Sequence, residues 1–117
     1  MILKNFMRAL SMRPVVRNVN GDEVLDKRVQ VALDKLRSLG QDPLQQLRSC
    51  QDYLESCISS LRRKYNKKSR ILKNKNPQRI GSLAWYEYML NNTTTIVGFL
   101  VGKQLEEMIN RGKENNT

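Results

Sequence analysis

Residues 39–45, Leu-Gly-Gln-Asp-Pro-Leu-Gln, decide how the chain must fold. Gly40 can take the left-handed backbone that ends a helix at little cost. Asp42 is a good N-cap and Pro43 suits the first position of a new helix, where its missing N–H is no loss. Gln45 sits where a capping-box partner would reach back. The stretch therefore predicts one helix stopping and another starting within a few residues.

Apolar residues recur at helical spacing on both sides of this junction. Upstream, Leu25, Val29, Ala32, Leu36 and Leu39 follow at intervals of four, three, four and three. Downstream, Leu47, Cys50, Leu54, Cys57 and Leu61 repeat at three, four, three and four. Two such stripes joined by a short turn predict an antiparallel helical hairpin over about 22–39 and 43–73. Asp22-Glu23 would lie in the first helical turn, after a turn at Asn20-Gly21. The second helix would run through its basic half, with Tyr65 and Leu72 continuing the apolar face, and stop before Pro77.

A third helix is expected over about 82–111, with Ser82 as N-cap, Trp85 and Met89 on one face, and Val97, Val101, Leu105 and Met108 further on. Asn91 to Thr95 is poor helix sequence, so a kink there, or a strand over 94–101, is the alternative. Gly98 and Gly102 are spaced for close helix approach. Arg111-Gly112 reads as the stop and residues 113–117 as a frayed tail. The fold class is all-α, with one domain over 20–112 preceded by a basic amphipathic segment, 1–19. In that segment Ile2, Leu3, Phe6, Met7 and Leu10 share a helical face, the pattern of a mitochondrial transit peptide, an interfacial membrane helix over 1–13, an arm lying on nucleic acid, or a helix docked on the domain.

The charge is concentrated. The 117-residue chain holds 21 Lys and Arg against 11 Asp and Glu, a net +10. Residues 1–19 carry four cations and no acid, and residues 62–79 carry nine cations and no acid; the rest is nearly balanced. Nine neighbouring cations repel one another, and a dense polyanion relieves that. Arg62, Arg63, Lys64, Lys67, Lys68, Arg70, Lys73, Lys75 and Arg79 are the expected phosphate contacts. Tyr65 and Tyr86 are the expected stacking residues, while Trp85, Tyr88 and Met89 read as core.

Enzyme chemistry is not expected. The chain has no histidine, and Asp22, Glu23, Asp26, Glu106 and Glu107 read as helix-end and solvent-face charges. No cofactor, metal or small-molecule substrate is expected. Cys50 and Cys57, seven residues apart on one helix, are too distant to bond within it and read as small core residues in a reducing, intracellular setting. A cytoplasmic location is favoured, with the mitochondrial matrix as the other option from the N-terminal pattern. No apolar run approaches the roughly 20 residues of a membrane span.

The function expected from these features is non-enzymatic RNA binding, with RNA favoured over DNA. No zinc-finger or RNA-recognition signature is present to read bases, so the partner is double-stranded RNA gripped by shape and backbone. Viral suppressors of RNA silencing built as helical-hairpin dimers, and small organellar ribosomal subunits, are examples of that class at the level of architecture; no motif of either occurs here. A homodimer through the helix stripes is also expected. The alternative is a helical assembly or adaptor protein that binds acidic protein or membrane surfaces, with Val97 to Met108 as its docking face.

Overall fold

A computed structural model describes residues 7–65 and 73–115. The chain is mostly helical, with a small antiparallel sheet that the all-α expectation omits. A helical turn at residues 7–10 leads into β1 (Val15–Arg17) and β2 (Glu23–Leu25). Three helices follow: α1 (Lys27–Ser38), α2 (Pro43–Lys64) and α3 (Leu83–Asn115).

The hairpin replaces the expected first turn of helix one. Val15, Val16 and Arg17 pair with Leu25, Val24 and Glu23, across a loop that Asn18 organises. Its side-chain oxygen accepts from the backbone N–H of Asn20 at 2.9 Å and of Asp22 at 3.0 Å, and Gly21 takes φ +82°. Asn-Gly between two β-branched runs is a hairpin signal, and here it prevails over the heptad reading. Leu25 misleads because it faces the core from a strand as well as it would from a helix. The true N-cap of α1 is Asp26, whose carboxylate accepts from Arg28 N–H at 2.9 Å. A two-stranded ribbon is marginal alone. This one is tied down by the Asp26 N–H to Pro14 carbonyl bond at 2.7 Å.

The α1–α2 junction forms as its residues dictate. Gln41 N–H bonds to the Leu36 carbonyl and Gly40 N–H to the Arg37 carbonyl, at 3.0 and 2.9 Å. Gly40 has φ +74°; together these make a Schellman stop. Asp42 then caps α2 by accepting from Leu44 N–H at 3.0 Å. The α2 helix as described ends at Lys64, with Tyr65 as C-cap. The expected continuation to residue 73 falls on 66–72, outside the described residues, and Lys73 itself is not helical.

The closest helix pairing is between α2 and α3 rather than between α1 and α2. Leu10, Leu25, Val29, Leu36, Leu47, Leu54, Met89 and Ile96 meet in one core, fed by the N-terminal turn, the hairpin and all three helices. Because Leu10 is fully buried, residues 7–10 are part of this core and their apolar side is not offered to a membrane. No helix among the described residues is long and apolar enough to cross a membrane.

The α3 helix is continuous through Asn91–Thr95, without strand or break. Thr93, Thr94 and Thr95 each bond a carbonyl four residues back, at 2.8, 3.0 and 3.0 Å, which satisfies hydroxyls that would otherwise compete with the helix. The Asn92 amide donates to the Leu10 and Met12 carbonyls, at 2.5 and 3.2 Å. Tertiary bonds thus hold a locally weak stretch. Asn92→Ala is expected to destabilise the domain by about 1 kcal/mol, whereas Asn91→Ala, on the exposed side, should stabilise it slightly through helix propensity. Chemical denaturation of the two variants checks this.

Gly112 does not end α3, which runs to Asn115, and the expected tail over 113–117 is helical as far as it is described. Gly98 and Gly102 serve no close packing among the described residues, since a Cβ on either would meet nothing within 4 Å. At about 1.5 Å per residue α3 is about 50 Å long, and every residue from Gly102 to Glu114 is exposed. The radius of gyration, 17.1 Å, accordingly exceeds the roughly 13 Å of a compact chain of this size.

Candidate nucleic-acid interface

Lys73 and Lys75 share a cavity with Glu87, the ion-pair partner of Arg62, where α2 ends and the loop before α3 returns. Arg62, Arg63 and Lys64 occupy the last turn of α2, where positive charge also suits the helix dipole. The loop from Lys73 to Gly81 folds on its own backbone. Asn74 and Asn76 side chains accept from the N–H of Asn76 and Gln78, at 2.9 and 3.0 Å. Ser82 ends it: its hydroxyl donates to the Arg79 carbonyl at 2.8 Å and accepts from Trp85 N–H at 3.0 Å. Gly81, at φ +87°, makes the bend that aligns the loop with α3. Ser82 is the N-cap as expected, and fully buried.

This return brings Tyr65, Lys73, Asn74 and Lys75 around one shallow cavity of about 260 Å³, floored by Leu83, Ala84 and Glu87. Of the nine expected phosphate contacts, six are described: Arg62, Arg63, Lys64, Lys73, Lys75 and Arg79. All six are exposed. Lys67, Lys68 and Arg70 lie outside the described residues. Arg62 pairs with Glu87 at 3.2 Å, and the other five make no ion pair among the described residues. Both partners of that pair are substantially exposed, so its stabilisation is small and screened by salt.

Glu87 and Asn74 are the members that the sequence reading missed. Glu87 is the only acid between Glu55 and Glu106, a signal that could have marked it as a partner for the basic run. Tyr65, a third exposed, stands in the cavity wall as a stacking residue would. Tyr86 does not: its ring meets Trp85 edge-on at 4.8 Å and packs against the core. Burial, and then the nearby Cys57, push its phenol pKa up.

The two cysteines are free, Cys50 buried and Cys57 half-buried. Burial pushes the Cys50 thiol up, more than its hydrogen bond with Thr93 lowers it. Tyr53 is shifted up chiefly by its hydrogen bond with Cys57. All three shifted groups become negative on losing a proton, and all three hold it more tightly when folded. The unfolded chain therefore deprotonates first, and this part of the stability is present below the free thiol pKa of about 8.5 and lost as pH rises above it. A melting temperature that falls between pH 8 and 10.5 is the expected readout. A thiol reagent at pH 8 should modify Cys57 in the folded protein and Cys50 only on unfolding.

Among the described residues no cluster of acids and cysteines could hold a metal ion. Comparison with protein-family models, with curated proteins and with solved structures finds no match for the chain. The functional reading therefore rests on charge and geometry.

Proposed function

We propose that this protein is a non-enzymatic RNA-binding module that grips double-stranded RNA by its backbone. The observation that carries the proposal is the exposed cation cluster at the α2 end, opposed within the described residues by Glu87 alone. Arg63, Lys64, Lys73, Lys75 and Arg79 provide phosphate contacts, and Lys67, Lys68 and Arg70 of the same basic run add to them. Tyr65 lines the same cavity as Lys73 and Lys75, where it would stack on a sugar or an unpaired base at the edge of the contact. The loop over 73–81 is closed by its own hydrogen bonds, so the backbone that carries Lys73, Lys75 and Arg79 is set before a ligand arrives, which lowers the entropy lost on binding.

The test is binding to duplex RNA, single-stranded RNA and duplex DNA across a salt series. Duplex RNA should bind tightest, and with about six phosphate contacts log K should fall against log salt with a slope near −5. Absence of binding to any polynucleotide at low salt would reject the proposal. Binding to anionic vesicles or an acidic protein in its place would favour the adaptor reading.

A further inference from the structure

The outer half of α3 carries an apolar face that nothing among the described residues covers. Leu105, Met108 and Ile109 are 54%, 65% and 60% exposed. At 100° per residue they share a sector of roughly 100° with Val101 and Gly112. A Cβ on Gly112 would meet nothing within 4 Å. Three large apolar side chains and a glycine on a helix projecting into water form a seam that lacks its second side.

We infer that a second copy of this chain covers that face, the two α3 ends packing antiparallel about a two-fold axis near Met108 and Ile109. The charges bordering the seam select both occupant and direction. From residue 103 onward α3 holds three cations (Lys103, Arg111, Lys113) and three anions (Glu106, Glu107, Glu114) on a chain whose net charge is +10. A polyanion has no reason to choose this segment, and two otherwise repelling copies can meet on it. Glu106 and Lys113 border the same side of the seam. Antiparallel pairing centred between residues 108 and 109 sets Glu106 against Lys113 of the other copy, twice by symmetry. It also sets Leu105 over the bare backbone of Gly112, and Met108 against Ile109. Gln104 and Arg111 face each other along the other border. A parallel pair would bring each border of the seam against the opposite border of the other copy, setting Lys113 beside Arg111 and the gap at Gly112 over the other Gly112, so it is disfavoured.

The overlap spans about 15 residues, roughly 22 Å of helix. A single helix pair overlapping over so short a length buries less than the about 1,200 Å² of a standard stable interface, so the dimer is reversible in the micromolar range. The inference does not rest on RNA binding, and either can fail alone.

Sedimentation equilibrium of the full chain, free of nucleic acid and run from 5 to 500 µM, tests it. The natural chain should show a monomer–dimer equilibrium. Leu105→Glu should remain monomeric, with an unchanged helical spectrum at low concentration confirming its fold. Glu106→Lys and Lys113→Glu should each weaken association about tenfold when alone, because each sets like charges across the seam. Mixed in equal amounts, these two variants should form a heterodimer at least as tight as the natural dimer. A natural chain that is monomeric throughout, self-association that Leu105→Glu leaves intact, or a mixture that recovers nothing would each overturn the proposal.

Discussion

Leu54→Ala is expected to lower stability by about 3 kcal/mol, within the 2–5 kcal/mol typical of a fully buried leucine. Leu54 is 0% exposed at the middle of α2, the helix packed most extensively on α3. The surrounding core draws on Leu47, Cys50, Met89 and Ile96, from two rigid helices that cannot easily close over a cavity. Against a total of about 5–15 kcal/mol for a domain, the loss is large. The melting temperature should drop by roughly 10–15 °C. Leu105→Ala removes the same atoms from an exposed site and should change the stability of the monomer by no more than about 0.5 kcal/mol. Calorimetry of the two variants at low concentration distinguishes a packed core from a projecting helix. Equal losses would mean that α3 is covered along its whole length.

Neutralising Lys73, Lys75 and Arg79 together to glutamine is expected to weaken duplex RNA binding roughly several-hundred-fold near 0.1 M salt, since each phosphate contact contributes close to a factor of eight there. The salt slope should become shallower by about 2–3, and the loss should be alike for unrelated sequences, because backbone contacts carry no base information. All three side chains are exposed and make no ion pair among the described residues. Their removal should therefore leave the fold intact. Arg17, Lys35 and Arg48 neutralised together serve as the control, as they remove equal charge at other places. If the control loses as much, net charge alone drives binding and the cluster has no special place. Glu87→Gln should do the opposite and tighten binding, since it frees Arg62 and removes the one acid in the cavity.

Parts of this architecture were legible from residues close together in sequence. The stop at Leu39-Gly40 and the restart at Asp42-Pro43 involve only neighbours, and their caps form as the side-chain chemistry requires. The stripe Leu47, Cys50, Leu54 is buried because α2 is a helix in isolation and in context. What the sequence concealed depends on distant partners. Leu25 fits a heptad and a strand equally well, and the choice is made by pairing with Val15 across the Asn18 loop. Thr93 to Thr95 read as a weak point until Asn92 is seen bonded to Leu10 and Met12. Gly112 resembles a terminator, yet helix continues through it. In the candidate interface, the cation run was visible at once. Its meeting with Tyr65, and the pairing of Arg62 with Glu87, required the loop to return onto the end of α2. The angular position of Tyr86 on one helix suits a stacking residue, whereas its half-buried place beside Trp85 and Cys57 follows from the packing of α2 on α3.

The unbroken length of α3 acts as a caliper. The cluster sits at the level of Glu87, and the proposed two-fold lies some 21 residues further along the same straight axis. Doubling that reach at 1.5 Å per residue sets two identical grips roughly 65 Å apart. That matches about 23 base-pair steps of an A-form RNA duplex at about 2.8 Å each. Fragments much shorter than this span would be held at one end only, while longer ones would gain the second grip without any new contact type. A helix interrupted at Asn91–Thr95 would give a loose tether in place of a fixed gauge.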